Sequence, residues 1–303
     1  MEPKKSNPYA LYWARSDLRL KDNPAFEAAC ASAHPLIVLY IHEAFPGPFG
    51  EIGSASKVWL HHALTDFQSE LQKHGIPLFM AKGHPKEVWD RLKDDPSLKE
   101  VYWNRRYDPQ GVAFDRSLRA EFQTQGKWIE SCQANVLFEP HTIQNQQGNP
   151  FQVFTPFWRH CLKQGLPTRL KQPHSAPQQP PDEQKKAFEQ RLQGTVEVEG
   201  LKLLPTLNWY KSIEKSWNIS RQGAEEALQN FIRDSLENYA EGRDFPSWRK
   251  TSRLSPYLRW GQISPREVVC AVQSSPLQGT KNAEKFLAEI GWREFAYHLL
   301  WHF

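Results

Sequence analysis

From Tyr9 to Phe138, short runs made almost wholly of apolar residues alternate with longer stretches in which apolar residues recur every three or four positions. A continuous apolar run suits a parallel strand covered on both faces, and a period of about 3.6 suits the helices that cover it. Tyr9–Trp13, Pro35–Ile41, Ile76–Met80, Glu100–Trp103 and Asn135–Phe138 read as strands. Between them, helices are predicted from Asn23-Pro24 to Cys30, from Ser56 to Lys73 with Val58, Leu60, Leu64, Phe67 and Leu71 on one stripe, from Pro85 to Leu92, and from Phe114 to Gln123. That alternation predicts an α/β fold, a Rossmann-like open parallel sheet wrapped on both faces. No G-x-G-x-x-G follows the first strand and there is no P-loop, so the sheet lacks the usual nucleotide fingerprints.

Past Phe138 the alternation stops. A chain of 303 residues has room for two domains, and the expected division is an α/β domain over 8–138, a linker over 139–205 and an all-α region over 206–303. Pro, Gln and Lys dominate Gln172–Lys186, which reads as an exposed connector. The apolar island Val153–Trp158 is expected to pack that connector onto a domain. After Gly223 the period is helical, with Ala224, Ala227, Leu228, Phe231, Ile232, Leu236 and Tyr239 on one stripe. Ser255-Pro256 reads as an N-cap with Pro at the first helical position, and Ser264-Pro265-Arg266-Glu267 as a capping box. A last helix runs from Asn282 to the terminus.

The formal charge of +4 permits contact with nucleic acid without requiring it. Four widely spaced cysteines, with no C-x-x-C, argue against a disulfide framework or a zinc site. The polar start Met1-Glu2-Pro3-Lys4-Lys5 does not read as a signal h-region, and no run approaches the ~18 apolar residues of a membrane span. A cytoplasmic location is expected.

Three features could carry chemistry. The charged loop Arg15–Asn23 is either a salt-bridged surface loop or a ligand or interdomain contact. Thr251, Ser252, Arg253, Leu254 and Ser255 put hydroxyls and a guanidinium before a capped helix, where free N–H groups favour phosphate oxygens. Glu289, Trp292, Arg293 and Ala296 follow i, i+3, i+4, i+7 spacing and share one face of the last helix, where the plainer reading is a Glu289–Arg293 surface pair. His298 and His302 have zincin spacing without the glutamate that motif needs, so no metal is expected.

These segments, with Tyr12–Asn23, Trp103–Tyr107, Val153–Trp158, Arg243–Pro246, Gly261–Arg266 and Gly291–Phe295, resemble the photolyase/cryptochrome family, and bacterial cyclobutane pyrimidine dimer photolyases in particular. The resemblance implies an α/β antenna domain, a long linker and a helical domain that folds around FAD. It implies FAD contacts from Tyr239, Thr251, Ser252, Arg253, Leu254, Ser255, Phe286, Glu289, Arg293 and Ala296. Glu289 and Trp292 would act on the lesion, and Arg243, Trp292 and Arg293 would face damaged DNA. Blue light would drive an electron from reduced FAD into the dimer. An antenna chromophore is implied, folate or deazaflavin in type; Asp108 stands where folate-binding members carry an acid. The resemblance also implies that only the first part of the helical domain is present, with a separate chain carrying the C-terminal half as one partner. A cryptochrome-like photoreceptor and a non-functional remnant are the alternatives.

Overall fold

The structure, a computed structural model, describes residues 7–43, 52–170 and 176–303. The start at Met1–Lys5 and the first part of the Gln172–Lys186 connector lie outside the described residues. Five strands, β1 (Tyr9–Ala14), β2 (Leu36–Glu43), β3 (Leu78–Gly83), β4 (Leu98–Asn104) and β5 (Trp128–Cys132), form one parallel sheet in the order β3-β2-β1-β4-β5. Every residue of β1 is buried. Its alternate side chains feed two cores: Ala10, Tyr12 and Ala14 enter one, Tyr9, Leu11 and Trp13 the other.

Helices α1 (Pro24–Cys30), α2 (Ser54–Lys73), α3 (Pro85–Leu92) and α4 (Pro109–Thr124) connect the strands. Their starts follow from side-chain caps: Asn23, His84 and Asp108 each accept a backbone N–H of the first turn, and Pro occupies that turn in each case. Helix α4 therefore begins five residues before the expected Phe114.

The fifth strand corrects the sequence reading. It is Trp128–Cys132, and Asn135–Phe138 pairs with no strand. An edge strand is covered on one side only, so its residues are mostly half-exposed and mixed in polarity, and it escapes a search for apolar runs. The amides of Leu137 and Phe138 are satisfied instead by a carboxylate of the last helix, described below.

The remaining helices are α5 (Phe154–Gln164), α6 (Asp182–Leu192), α7 (Lys211–Ser216), α8 (Arg221–Asp234), α9 (Tyr239–Gly242), α10 (Ser255–Trp260), α11 (Pro265–Gln273) and α12 (Lys281–His302). The connector reading is amended at α6, which places Phe188 and Leu192 in the second core beneath the sheet. The apolar island becomes α5 and packs on α12: a Cβ at Gly291 would stand 2.6 Å from the Trp158 indole. The capping box at Ser264 and Glu267 forms as read. Ser255 does not cap; Leu254 is already in the αR region, so Ser255 is the first helical residue and its side chain is exposed.

The first core does not stop at the α/β region. It runs from β1 and β2 through α2 into Leu228, Phe231, Leu254, Tyr257, Val268, Phe286 and Ile290. The loop after β1 locks this junction. Arg19, almost wholly buried, donates to the carbonyls of Asp22, Ala134 and, at 2.9 Å, Gly261. Ser264 donates to Asp22, and Trp59 donates to Gln262 at 2.8 Å. Gly261 has φ +68°, and a Cβ there would lie 2.2 Å from the Ser16 carbonyl, so both backbone shape and space require glycine. Of the readings open for Arg15–Asn23, the interdomain contact is the one observed. Among the described residues no helix is long and apolar enough to cross a membrane.

Candidate functional site

Helix α12 is the spine of the site. Thr280 caps it by accepting the Ala283 N–H. Residues 286 to 296 extend over about 15 Å of helix. The sequence-predicted positions on it and on the segments before it fall in three groups.

The first group sits where α9 meets α12. Asn282 accepts the Ala240 N–H at 2.8 Å and holds the two helices together. Tyr239 and Phe286 are buried and meet edge to face at 5.3 Å, with Phe231 against both. Phe286 is thus part of a packed aromatic triad. Above it the Arg243 guanidinium lies 5.5 Å over the Tyr239 ring and forms an ion pair with Glu289. The surface pair read from helical spacing joined Glu289 to Arg293; the structure joins Glu289 to Arg243, brought in from outside the helix. Both partners are about a quarter to a third exposed, so water reaches the pair.

The second group lies one turn further along. Trp292 is 49% exposed and stacks on Phe154 of α5, with ring centroids 3.8 Å apart and planes 10° from parallel. Arg293 turns away from it. Its guanidinium donates to the Asn135 carbonyl at 2.6 Å and lies 4.9 Å over the Tyr297 ring. Ala296 is exposed.

The third group is the hydroxyl run. Leu254 anchors it in the core that holds Tyr239 and Phe286. Arg253 is committed elsewhere: its guanidinium lies 3.7 Å over the Trp217 ring and donates to the Ser216 carbonyl. Ser252 Oγ accepts the Leu254 N–H, whereas Thr251 and Ser255 are exposed and their hydroxyls make no protein hydrogen bond among the described residues. Arg253 has φ +55° and Leu254 is αR, the left-then-right succession that turns neighbouring N–H groups toward one anion. Free hydroxyls beside such a turn fit a diphosphate. Among the described residues, no hydrogen bond or ion pair links this run to Glu289 or Trp292.

Two further residues on α12 have roles that the sequence reading did not assign, Glu294 unremarked and His298 weighed there only as half of a metal pair. Glu294 is buried and accepts the N–H groups of Leu137 and Phe138 through one carboxylate oxygen, at 2.6 and 3.2 Å. Burial pushes its pKa up to about 7, although Arg293 and the two amide donors pull the other way. Its signal was an acid standing on the apolar stripe of a helix, where a charge needs partners. His298 is also buried and accepts the Phe151 N–H at 3.0 Å, so its role here is packing and support. Asp108 caps α4 and pairs with Arg106 at 2.8 Å.

The family model for DNA photolyase matches residues 10–181, more than half of the chain. The chain belongs to the DNA photolyase family. It is 38% identical over 296 residues to the deoxyribodipyrimidine photo-lyase of Agrobacterium fabrum, covering 97% of this chain and 59% of that protein. To cryptochrome-2 of Arabidopsis thaliana it is 28% identical over 318 residues, covering 99% of this chain and 50% of that one. A crystal structure of a bacterial class III photolyase from Agrobacterium tumefaciens matches with TM-score 0.84 at 35% identity, over 100% of this chain and 61% of the other. This member of the photolyase family therefore spans one half to about three fifths of the relatives it matches. The Arg15–Asn23 loop and the Val153–Trp158 segment fall inside the family match, and the three groups around α12 lie beyond it.

Proposed function

We propose that this chain serves light-driven repair of cyclobutane pyrimidine dimers in DNA, with reduced FAD as electron donor, and that it builds the first wall of the flavin and lesion site. The observation that carries the reading is the half-exposed Trp292 stacked on Phe154, one helical turn from the Arg243–Glu289 pair, in a chain 38% identical to a deoxyribodipyrimidine photo-lyase. A flat indole with a free face is a platform for an extruded base, worth roughly 1–3 kcal/mol per base stacked. A dimer stacks and pairs poorly, so taking it out of the duplex costs less than extruding an intact pair.

The roles of the other residues follow from their chemistry. Thr251, Ser252 and Ser255 would hold the FAD diphosphate with hydroxyls and turn amides, while Arg253 keeps the turn in shape from Trp217. One-electron chemistry is what FAD supplies when bound. Glu289, already a hydrogen-bond acceptor for Arg243, would accept the imide N–H of a thymine; Arg243 would then be released toward a DNA phosphate. Tyr239 and Phe286 give this pair a rigid floor. Arg293 and Ala296 line the far end of the same helix. The rest of the flavin cradle is proposed to come from sequence corresponding to the part of its relatives that this chain does not span, on the same or a separate polypeptide. A folate or deazaflavin antenna remains a proposal for the α/β region.

Blue-light illumination of a dimer-containing oligonucleotide tests this, using the 303-residue chain with reduced FAD, alone and with a polypeptide carrying the remaining helices. Dimer loss is expected in the completed mixture. E289Q should slow it on the order of a hundredfold, the scale of losing one preorganised polar contact, and W292A should weaken binding by roughly 1–3 kcal/mol. No dimer loss in either mixture overturns the reading. Light-dependent capture of a protein partner without dimer loss points to a cryptochrome-like receptor.

A further inference from the structure

Helix α2 belongs to the α/β region, yet one of its faces fastens the segment against which the hydroxyl run is held. Trp59, His62 and Asp66 follow i, i+3, i+7 spacing and share that face. Each ties down a residue between α7 and the start of α8. Trp59 meets Trp217 edge to face at 5.2 Å, His62 lies 2.9 Å from Glu214, and Asp66 accepts the Arg221 N–H at 2.6 Å. Tyr257 completes the cluster: its ring meets both indoles edge to face, at 5.0 and 6.1 Å, and its hydroxyl donates to the Asn218 carbonyl at 2.7 Å. Trp217 is fixed in this way, and its ring receives the Arg253 guanidinium at 3.7 Å while the Ser216 carbonyl accepts from the same group at 3.1 Å. Among the described residues, Arg253 makes no other side-chain hydrogen bond and no ion pair.

We propose that Trp217 is the positioning residue of the diphosphate turn, and that through it α2 sets the fraction of molecules whose turn is ready for a phosphate-bearing ligand. This rests on the flavin reading above. Arg253 stands at φ +55°, and the succession from it to the right-handed Leu254 is what turns the neighbouring N–H groups toward one anion. A residue with a Cβ is disfavoured in the left-handed region roughly 5- to 30-fold. The stack on Trp217 and the bond to Ser216 act against that preference, because both need the Arg253 backbone where it stands. A ligand's apparent affinity scales with the competent fraction, so losing the clip weakens binding by about the factor that the clip offsets. Lysine could not replace Arg253 here, since only a planar guanidinium stacks on the indole. The α/β region thus acts on the cofactor turn without touching the cofactor.

The test is titration of the 303-residue chain with FAD and with riboflavin, alone and with a polypeptide carrying the remaining helices. W217L should raise the FAD dissociation constant roughly 5- to 30-fold and leave that of riboflavin, which has no phosphate, unchanged. W217F keeps a weaker aromatic face and should fall between the parent and W217L. R253A should match W217L, and the double variant should lose no more than either, because the two side chains form one clip. R253A alters an exposed side chain, so with W217F it carries the test if W217L does not fold. FAD bound equally by the parent, R253A and the Trp217 variants overturns this inference alone. A loss in R253A that the Trp217 variants do not share also overturns it, since Arg253 would then meet the phosphates itself. Equal loss of FAD and riboflavin in W217L overturns it as well, in favour of general damage to the fold. FAD binding that depends on Trp217 in a chain that splits no dimer sustains the inference and overturns the repair reading. No FAD binding by the parent in either mixture overturns both.

Discussion

Glu294 has exchanged water for two backbone amides. A carboxylate buried this way is held between opposing effects: burial favours the acid form, and the Leu137 and Phe138 N–H groups favour the anion. Burial prevails, and the pKa reaches about 7 from an ordinary 4.5. Because the folded chain holds this proton more tightly than the unfolded chain, the resulting stabilisation is complete below pH 4.5 and is lost as the pH rises through about 7. The rise is worth roughly 3 kcal/mol. Denaturant titrations between pH 5 and 8 should show that loss in the parent chain and a flatter profile in E294Q, whose amide oxygen still accepts both N–H groups. Equal pH slopes in the two proteins would remove Glu294 from this role. Arg293 belongs to the same local system: its bond to the Asn135 carbonyl secures the loop that Glu294 holds.

At the scale of elements, the contact between α5 and α12 decides where Trp292 stands. Gly291 allows the Trp158 indole to lie against the helix, and Phe154 then supports the next residue along. Alanine at 291 would gain about 1 kcal/mol in helix propensity. It would also drive a methyl group into an indole at 2.6 Å, and overpacking of that kind costs roughly 1–3 kcal/mol. Strain should win. G291A is expected to lower the melting temperature and to weaken oligonucleotide binding together, because the helix that carries Trp292 must shift. A variant that is more stable and binds unchanged would show that the two helices are loosely coupled. The exposed Phe245–Trp248 stack, at 4.7 Å, lies outside this contact and on the loop that leads to the hydroxyl run.

For the molecule as a whole, the junction between sheet and helices is a core rather than a hinge. Leu36 and Val38 of the sheet share one cluster with Phe231, Leu254 and Phe286, and the Arg19, Asp22 and Trp59 hydrogen bonds cross the same boundary. Far-UV circular dichroism and tryptophan fluorescence should therefore report coincident unfolding transitions. Limited proteolysis should leave no stable fragment ending near residue 140, and such a fragment would show that the halves fold apart. G261A tests the seam directly. A left-handed non-glycine residue and a backbone clash at 2.2 Å together cost roughly 2–5 kcal/mol, so both probes should shift by the same amount.

What could be read in the order of the residues was what local periodicity and capping encode. Four strands, the helices between them, the Ser264–Glu267 box and the long last helix all depend on neighbours within a few positions. So did the family likeness, carried by motifs such as Arg15–Asn23 and Gly291–Phe295. Contacts between distant segments were decided only by the folded chain. The edge strand Trp128–Cys132 has too little buried surface to show an apolar run. The partner of Glu289 is Arg243 and not Arg293, because two helices meet there. Glu294 reaches residues more than 150 positions away, and Phe154 finds Trp292 across the same packing. A side chain's periodic position says which face it occupies; what that face meets depends on how the elements pack, and that is a property of the whole chain.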